Sequence, residues 1–600
     1  MRVKVISNAE VARILGEIGT HLEMQRVAFK PRAYQRVAEA VQGLPESVAD
    51  LYERGGLKAL EGIPGVGASI AEHIEELLTT GRLRYYDELK KKVPVRLDEL
   101  LRVEGLGPQS IHKLYMKLGV KTLADLGRAA KQGKVRTLEG FGPKSEAKIL
   151  ASLGFLERSG SRFILGFVMP EIRKIEERLR DVRGVSKVTV AGSVRRRKET
   201  VGDVDILAIA TDSTRIMDRF VAMPEVVRIV AKGTTKSAVK LVSGLDVDLR
   251  VVPPESYGAA LNYFTGSKDH NVALRQIAIT KGWKLNEYGL WRMTKGNERM
   301  VAGKTEEEIY EKLGMDYVEP ELRENRGEIE LAQKRQLPAL ISYGDLKGDL
   351  QTQTDWTDGS ASIEEMARAA AALGLEYIAI TDHTKRLAMT HGLDDRRLLK
   401  QIAEVDHVNK ALRASRSTFH VLSGTECDIL KDGSLDVSDT VLAKLDVVGV
   451  SVHSNFNLPR AAQTARIIRA MSNPHADILF HPTGRIINKR APYDVDMDAV
   501  IAAAKKTGTV LEIDALPDRA DLSDEYIRRC VDAGVMLAID SDAHAPAHFS
   551  LLEYGIAQAR RGWAERRTVV NAWPLEKMLK FLKGGQRGKA QPPKEGLGGK

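Results

Sequence analysis

The chain has 600 residues, of which 43% are hydrophobic and 29% charged, so we expect several domains with full cores rather than a disordered or fibrous protein. The formal net charge of +10 at pH 7 favours a polyanionic partner, although many basic proteins bind no nucleic acid. No apolar run is long enough to span a bilayer, the N-terminus lacks the apolar stretch of a signal peptide, and two cysteines are too few for a disulfide framework, so we expect a cytoplasmic protein without membrane contacts.

Residues 1–155 are predicted to form short helices, because apolar residues recur at spacings of three and four. A Gly-x-Gly turn that opens a helix occurs three times, in IPGVGASIAEHI, VEGLGPQSIHKL and LEGFGPKSEAKI. The glycines are Gly65, Gly67, Gly105, Gly107, Gly140 and Gly142. Glycine allows the backbone to approach a phosphate, and a helix N-terminus offers unpaired N–H groups. Three copies in a basic chain favour DNA-backbone contacts over simple packing, and the pattern resembles the helix-hairpin-helix motif.

Residues 156–317 mix predicted strands and helices and contain VTVAGSVRRRKETVGDVDILA, from Val188 to Ala208. Residues two apart on a strand face the same side, so Asp203 and Asp205 would present two carboxylates beside the Gly192-Ser193 turn. Such carboxylates repel one another, and a divalent cation bound by oxygen ligands is the usual remedy. The three arginines after the turn and the turn amides suit a polyphosphate. This stretch therefore indicates nucleotidyl transfer from a metal-bound nucleoside triphosphate.

A further carboxylate lies in LDVDLRVV. Asp248 would join the first two if its strand pairs with theirs, whereas we interpret Asp246 as a surface residue. Three carboxylates around two Mg²⁺ ions are the arrangement used for in-line displacement at phosphorus. One ion would lower the pKa of a primer 3′-hydroxyl, and the other would stabilise the leaving pyrophosphate.

These motifs, together with the segment YFTGS from Tyr263 to Ser267, resemble the palm and thumb of the family X DNA polymerases, the relatives of polymerase beta. The resemblance implies that Asp203, Asp205 and Asp248 bind Mg²⁺ or Mn²⁺ and are the catalytic residues. It also implies a nucleotide site of Gly192, Ser193, Arg196, Gly202, Tyr263, Phe264, Gly266 and Asn271, with Arg275 on the template strand. Tyr263 and Phe264 would line the sugar pocket, and Asn271 would reach the nascent base pair. Val201 stands where a serine is common, so one triphosphate contact is expected to be missing.

The N-terminal resemblance departs at one position. Animal relatives use a lysine after the first hairpin as a Schiff-base nucleophile for deoxyribose-phosphate removal, and the aligned residue here is His73. Histidine cannot form that Schiff base, so lyase activity through this site is not expected. Lys58 or Lys90 could substitute, but nothing in the sequence singles them out. Tyr34 and Arg36 are as consistent with binding a 5′-phosphate as with a solvated helix face.

Residues 318–340 are predicted to be a charged linker with little core, and residues 341–582 alternate apolar strands with helices, which indicates a parallel sheet or barrel. Nine of the 13 histidines lie after residue 380. Acidic residues and histidines repeatedly follow strand ends, where barrel enzymes gather their chemistry. These residues are Asp382, His383, Glu426, His453, His481, Asp542 and His544. We interpret them as a multinuclear metal site rather than as separate core residues.

This region resembles the PHP (polymerase and histidinol phosphatase) domain, which in bacterial and archaeal family X polymerases typically carries a metal-dependent 3′-to-5′ exonuclease. The resemblance implies seven of nine ligand positions for Zn²⁺ or Mn²⁺. They are Asp358, His383, Glu426, His453, His481, Asp542 and His544. The family opens with a His-x-His pair, but this chain has Gln351-Thr352-Gln353, and an amide is a weaker ligand than imidazole. We expect reduced metal occupancy and a weakened or inactive nuclease.

The sequence therefore predicts an all-α helix-hairpin-helix region, an α+β nucleotidyltransferase palm and thumb, a distorted α/β barrel, and a disordered tail at residues 583–600. The leading interpretation is a monomeric DNA polymerase that adds dNTPs to a primer 3′-hydroxyl and fills gaps in DNA repair. One alternative is a template-independent nucleotidyltransferase, since the Gly-Ser and Asp-x-Asp core is shared across that superfamily. Another is a DNA-end-binding scaffold with relic sites. The YFTGS segment and Asn271 favour templated synthesis on gapped or primer-template DNA.

Overall fold

The structure, a computed structural model, describes residues 6, 8–42, 44, 47–101, 103, 105–159, 162–294, 297–387 and 390–584. We refer below to the helical region (residues 8–159), the central region (residues 162–339) and the C-terminal barrel (residues 340–584). The predicted disordered tail lies outside the described residues, except that Lys583 and Gly584 end the last helix. No helix in the described part of the chain has both the length and the apolar character needed to cross a membrane.

The helical region contains only helices and turns among its described residues, as predicted. Its helices are α1 Asn8–Met24, α2 Lys30–Gln42, α3 Val48–Glu61, α4 Ala68–Thr80, α5 Arg84–Lys92, α6 Leu97–Leu100, α7 Pro108–Leu118, α8 Leu123–Lys131 and α9 Pro143–Ser159. Each helix buries one apolar face; α7, for example, buries Ile111 and Leu114 against Leu100 and Val103. The predicted three- and four-residue periodicity thus corresponds to real helix faces.

The central region is built around a five-stranded sheet in the order β2-β4-β7-β6-β5, followed by helices and a three-stranded antiparallel sheet. Its elements are β1 Phe163–Ile164, α10 Leu165–Arg180, β2 Val185–Val190, α11 Gly192–Arg195, β3 Thr200–Val201, β4 Asp203–Ala210, α12 Ser213–Val221, β5 Val226–Lys232, β6 Lys236–Leu241, β7 Asp246–Val251, α13 Tyr257–Thr265, α14 Lys268–Thr280, β8 Trp283–Asn286, β9 Gly289–Thr294, β10 Asn297–Ala302, α15 Glu306–Leu313 and α16 Glu328–Lys334. Strands β4 and β7 are parallel, and the other neighbours in the five-stranded sheet are antiparallel. The β4–β7 pair therefore brings the starts of both strands to one edge.

The stretch predicted to be a linker, residues 318–340, differs from that expectation. Val318, Leu322, Ile329 and Ala332 are buried, and the stretch contains a 3₁₀ turn at Pro320–Leu322 as well as α16. The described residues up to Ala339 group with the central region. The charged residues misled the prediction because several of them are buried in ion pairs instead of facing solvent.

The C-terminal barrel has seven parallel strands in sequence order, from β11 to β17. Its elements are β11 Gly348–Thr352, α17 Ile363–Ala372, β12 Tyr377–Ile380, α18 Asp395–Ala414, β13 His420–Asp428, α19 Asp439–Leu442, β14 Val447–Ser451, α20 Arg460–Met471, β15 Ile478–Leu479, α21 Met497–Thr507, β16 Val510–Asp514, α22 Asp524–Ala533, β17 Leu537–Asp540, α23 Leu552–Arg561 and α24 Leu575–Gly584. The Gln353 N–H donates to the Ala543 carbonyl at 2.8 Å, so the end of the first strand meets the end of the last. The predicted parallel sheet or barrel is confirmed as a nearly closed barrel.

Candidate nucleotidyl-transfer and metal sites

Three carboxylates meet where β4 and β7 begin. The parallel register places Asp203 opposite Asp246 and Asp205 opposite Asp248, so the predicted strand pairing is present. Burial, followed by the negative charges of Asp203 and Asp248, raises the pKa of Asp205 to about 6. A divalent cation would relieve this repulsion, so the donor set fits the metal that the resemblance implies.

Two further charged residues, Asp246 and Lys236, lie next to the three carboxylates. Asp246 is half exposed and pairs with Lys240 at 2.8 Å, in agreement with its interpretation as a surface residue. Lys236, which the sequence analysis did not single out, has its Nζ 2.8 Å from Asp248 Oδ2. Its position follows from the β6–β7 pairing, which no local pattern reveals. The lysine offsets part of the negative charge of the cluster.

The Gly-Ser turn lies against the carboxylates. A Cβ on Gly192 would sit 3.3 Å from Asp205 Oδ2, and the positive φ of 65° at this position also favours glycine. Ser193 belongs to the short helix α11, which begins directly at this turn. Gly202 immediately precedes β4, and Val201 is buried in the short β1–β3 pair. Val201 has no hydroxyl group, so it cannot supply the triphosphate contact that a serine would make at this position.

The arginines that follow the Gly192-Ser193 turn have different roles. Arg195 donates to Glu306 at 2.9 and 2.6 Å and to Thr265 Oγ1 at 2.8 Å. Burial alone would raise the pKa of Glu306, but Arg323 and Arg195 outweigh it and lower the pKa to about 2. Arg195 is thus part of a buried ion-pair network, and the expectation that all three arginines serve a polyphosphate is wrong for this residue.

Arg196 lies against the YFTGS segment instead. Its Nη1 donates to the Thr265 carbonyl, and its Nε donates to Glu324 Oε1 at 3.1 Å. A Cβ on Gly266 would sit 3.0 Å from Arg196 Nη1, so only glycine fits there without displacing the guanidinium. The structure therefore brings together Arg196 and Gly266, two predicted members of the nucleotide site.

The remaining predicted contacts lie on α13 and α14. The Tyr263 and Phe264 rings pack edge to face with centroids 5.2 Å apart. Asn271 donates from Nδ2 to the Tyr263 carbonyl at 2.7 Å, while its buried Oδ1 has no hydrogen-bond partner among the described residues. Arg275 donates to the Asn271 carbonyl at 3.3 Å. The Asn271 hydrogen bond therefore links α14 to α13, the helix that carries the two aromatic rings.

The three Gly-x-Gly turns have the same backbone geometry. The first glycines, Gly65, Gly105 and Gly140, have φ values of 81°, 83° and 84°. The second glycines are Gly67, Gly107 and Gly142, and a Cβ on any of them would meet no heavy atom of the described residues within 4 Å. The second glycine of each turn directly precedes a helix, namely α4, α7 or α9. The repeated open backbone at a helix start suits the approach of a phosphate.

His73, at the position of the family's lyase lysine, belongs to an aromatic stack. The Tyr34 hydroxyl lies 2.7 Å from His73 Nδ1, and the His73 ring packs on Tyr85 with centroids 5.0 Å apart. Burial lowers the pKa of His73 and thereby favours the neutral ring. The Tyr34 hydroxyl, which we considered for a 5′-phosphate, is engaged by this histidine.

In the C-terminal barrel, six of the seven predicted ligands converge at the strand ends. Five of them form two sets of three residues, and His383 belongs to both sets. Within each set the potential ligand atoms all lie within 4.8 Å of one another. The sets are Asp358, His383 and His544, and His383, Glu426 and His453. His481 Nε2 lies 2.8 Å from Glu426 Oε1. Although burial would raise it, His383 and His453 hold the pKa of Glu426 well below its usual range. This mixture of imidazole and carboxylate donors fits Zn²⁺ or Mn²⁺.

Asp542, the seventh predicted ligand, already has a cationic partner. Arg519 Nε lies 3.6 Å from Asp542 Oδ2 and 3.4 Å from Asp514 Oδ2. Gln351 is buried, and neither polar atom of its side chain has a hydrogen-bond partner among the described residues. Gln353 donates from Nε2 to Glu426 Oε2 at 3.0 Å. Gln353 Oε1 is buried and has no hydrogen-bond partner among the described residues either. Both amide oxygens thus remain open to a cation, but an amide is a weaker ligand for Zn²⁺ or Mn²⁺ than the imidazole it replaces.

Two carboxylates of the barrel have roles that differ from the sequence interpretation. Asp382 accepts hydrogen bonds from Thr354 Oγ1 at 2.6 Å and Gln401 at 2.7 Å, so it anchors a loop and belongs to neither ligand set. Asp428 was not predicted, yet its Oδ1 accepts from the His453 N–H at 3.3 Å. It follows Glu426 by two residues on one strand face, and that spacing could have identified it. The hydrogen bond to Asp428 comes from the backbone N–H of His453, and the ring Nδ1 of His453 lies 3.7 Å from the same carboxylate oxygen.

Comparisons with known proteins cover each region. Family models match residues 6–83 (helix-hairpin-helix domain), 97–154 (SAM-like helix-hairpin-helix tandem), 260–324 (DNA polymerase beta thumb) and 349–512 (PHP domain). The chain is 37% identical over 577 residues to the DNA polymerase/3′-5′ exonuclease PolX of Bacillus subtilis, which covers 96% of this chain and 99% of the relative. It is 25% identical over 359 residues to DNA polymerase lambda of Arabidopsis thaliana, which covers 53% of this chain and 62% of that protein. The rat DNA polymerase lambda is 26% identical over 351 residues, and the match covers 53% of this chain and 56% of that protein.

The helix-hairpin-helix region, the thumb and the carboxylate edge of the central sheet together define a DNA polymerase of the polymerase beta type. The chain belongs to the PolX family, the family X polymerases that carry a PHP domain.

Proposed function

We propose that this protein extends a primer 3′-hydroxyl with dNTPs on gapped DNA, in DNA repair, at the site formed by Asp203, Asp205 and Asp248. The observation that carries the proposal is the parallel β4–β7 register, which sets Asp205 opposite Asp248. When bound there, two Mg²⁺ or Mn²⁺ ions would supply a lowered pKa for the 3′-hydroxyl and charge stabilisation at the triphosphate. The three carboxylates would hold those ions and would thereby be relieved of their mutual repulsion.

The surrounding side chains would orient the nucleotide. The Gly192-Ser193 turn offers backbone N–H groups to the triphosphate, and Arg196 adds a guanidinium. Tyr263 and Phe264 would pack on the sugar, and the Asn271 side chain would face the new base pair. These contacts would be the same for every Watson–Crick base pair. The template base would therefore determine which dNTP is incorporated.

Extension of a gapped duplex with single nucleotides tests the proposal. We expect incorporation of only the dNTP that matches the template, in the presence of Mg²⁺ or Mn²⁺. Incorporation of all four dNTPs regardless of the template would instead support a template-independent transferase. Tight binding of the gapped duplex without any extension would support a DNA-end-binding scaffold.

For the PHP domain we propose a weakened 3′-to-5′ exonuclease that keeps metal at the ligand sets around His383. The support is the contrast between those converging imidazole and carboxylate donors and the amides of Gln351 and Gln353, which are weaker ligands than imidazole. Zn²⁺ or Mn²⁺ bound there would supply a nucleophilic water at neutral pH. Asp428 would hold the backbone of His453 through the His453 N–H, and Gln353 would hold Glu426 through its side-chain amide.

DNA binding by the Gly-x-Gly turns can be tested at Gly107, the N-cap of α7. We expect Gly107→Asp to weaken binding of duplex DNA by about tenfold, because its carboxylate would stand where a phosphate approaches. Aspartate is a good N-cap, and a Cβ at this position would meet no described atom within 4 Å, so the helix should remain intact. Fluorescence anisotropy at several salt concentrations gives the measurement.

Gly107→Ser is the matched control for this substitution, since serine is an equally good N-cap without the charge. We expect its DNA affinity to stay close to that of the unmodified protein. Equal loss of affinity in both variants, or in neither, would contradict a phosphate contact at this turn.

A further inference from the structure

The segment from Tyr317 to Glu328, at the end of the central region, contacts the start of α14, the helix that carries Asn271 of the nucleotide site. The Ser267 N–H, at the start of α14, donates to the Arg323 carbonyl at 2.9 Å. His270 of α14 has its Nδ1 2.7 Å from Glu328 Oε1, and both side chains are fully buried. The segment that looked like a linker therefore packs directly on the helix that carries Asn271.

The side chain of Glu324 reaches from this segment to Arg196 and Lys198, which follow the Gly192-Ser193 turn. Its Oε1 accepts from Arg196 Nε at 3.1 Å and lies 3.9 Å from Lys198 Nζ. The side chains of Arg196 and Glu324 are each 13% exposed, so their ion pair is largely shielded from water. A shielded, charge-assisted hydrogen bond restricts a guanidinium much more than an exposed surface ion pair does.

The backbone on both sides of Glu324 is anchored. Arg323 is buried, donates from Nε to the Val318 carbonyl at 2.9 Å and pairs with Glu306 at 2.5 Å. On the other side, Glu328 accepts from the Asn325 N–H at 2.7 Å and from the Arg326 N–H at 2.6 Å. Because both neighbours are held, the Glu324 carboxylate is already in place when a nucleotide arrives.

We infer that Glu324 is a positioning residue for nucleotide binding, which holds the Arg196 guanidinium in the orientation that receives the triphosphate. Arg196 is pinned from two sides, by Glu324 at Nε and by the Thr265 carbonyl at Nη1. A flexible arginine would lose side-chain freedom on binding the triphosphate, whereas an arginine held in advance has already lost it. This inference rests on the proposed role of Arg196 as a triphosphate contact.

The experiment is steady-state single-nucleotide incorporation on a gapped duplex with the full-length protein. We expect Glu324→Ala to raise the KM for the matching dNTP about tenfold, the effect of losing one charge-assisted hydrogen bond, with kcat changed much less. Inhibition by inorganic pyrophosphate should weaken by a similar factor. Glu324→Gln keeps an acceptor of the same size, so its KM should lie between those of the unmodified protein and the alanine variant. It also serves as the test if the alanine variant does not fold.

Glu330→Ala is the matched control, because Glu330 is an exposed carboxylate of α16 in the same part of the chain. We expect its KM to be unchanged. In a double-mutant cycle, Glu324→Ala should have no further effect on KM once Arg196 is alanine, since the two residues act as one unit.

The outcomes separate the two levels of the argument. If Arg196→Ala leaves the KM for dNTP unchanged, its proposed role as a triphosphate contact fails. If Arg196→Ala raises KM but neither Glu324 variant does, or if Glu324→Ala lowers KM, Glu324 does not position Arg196. Additive effects of the two alanine substitutions would overturn the inference in the same way.

Discussion

Replacement of Asp248 by alanine is expected to lower kcat for nucleotide incorporation by at least about a thousandfold. Asp248 is the one carboxylate of the trio contributed by β7, opposite Asp205 of β4. Its loss would remove a ligand from the proposed metal site and leave Lys236 without its acidic neighbour. Single-turnover extension of a gapped duplex at saturating dNTP and Mg²⁺ measures the effect on chemistry.

Asp246→Ala provides the matched control for this prediction, since it removes the same charge from the same strand. Asp246 is half exposed and pairs with Lys240, so we expect activity to change little. The Asp248 variant should bind gapped DNA and unfold at a temperature close to that of the unmodified protein, because its removal also relieves repulsion within the cluster. If it retained more than about a tenth of the activity, the two-metal assignment would be wrong.

Restoring the histidine pair is expected to have the second large effect. We predict that the double variant Gln351→His, Gln353→His binds about one more Zn²⁺ or Mn²⁺ ion per chain and degrades a primer from its 3′ end at least about tenfold faster. Imidazole is a much stronger ligand for these ions than an amide. Metal content after dialysis, measured by mass spectrometry, gives a result that does not depend on activity.

His544→Ala in the double variant is the control for the nuclease. It removes a ligand from the set with Asp358 and His383, so the gained activity should be lost. Two results would argue against a weakened site: unchanged metal content in the double variant, or robust Mn²⁺-dependent primer degradation by the unmodified protein that His544→Ala abolishes.

Much of the candidate chemistry could be predicted from local sequence patterns. Asp203 and Asp205 share a strand face because side chains alternate along a strand, and that holds wherever the strand lies in the fold. The Gly-x-Gly turns were equally predictable, since a residue at a positive φ near 80° before a helix strongly favours glycine. The histidines of the candidate metal site, His383, His453, His481 and His544, follow strand ends because each apolar run ends where the chain leaves the sheet.

Other assignments could not be made locally, because they depend on which distant surfaces bury each other. The local pattern of three arginines does not distinguish Arg195 from Arg196, and only the family resemblance singled out Arg196. In the structure Arg195 pairs with buried Glu306 and Arg196 with Glu324. The charged residues around Glu328 predict a solvated linker. The carboxylate of Glu328 is instead buried against His270, a partner 58 residues earlier that no local pattern identifies.

The helices and strands, the repeated hairpins and the Asp-x-Asp pair could thus be predicted from the sequence, because they follow from backbone periodicity and side-chain chemistry. The departures at His73 and Gln351 were recognisable only through the family resemblance. Three contacts required the folded structure: Asp248 lies across from Asp205, Glu324 pairs with Arg196, and Arg519 lies beside Asp542. The physical reason is that strand pairing and charge burial are long-range contacts, whose partners are selected by the packing of the whole region.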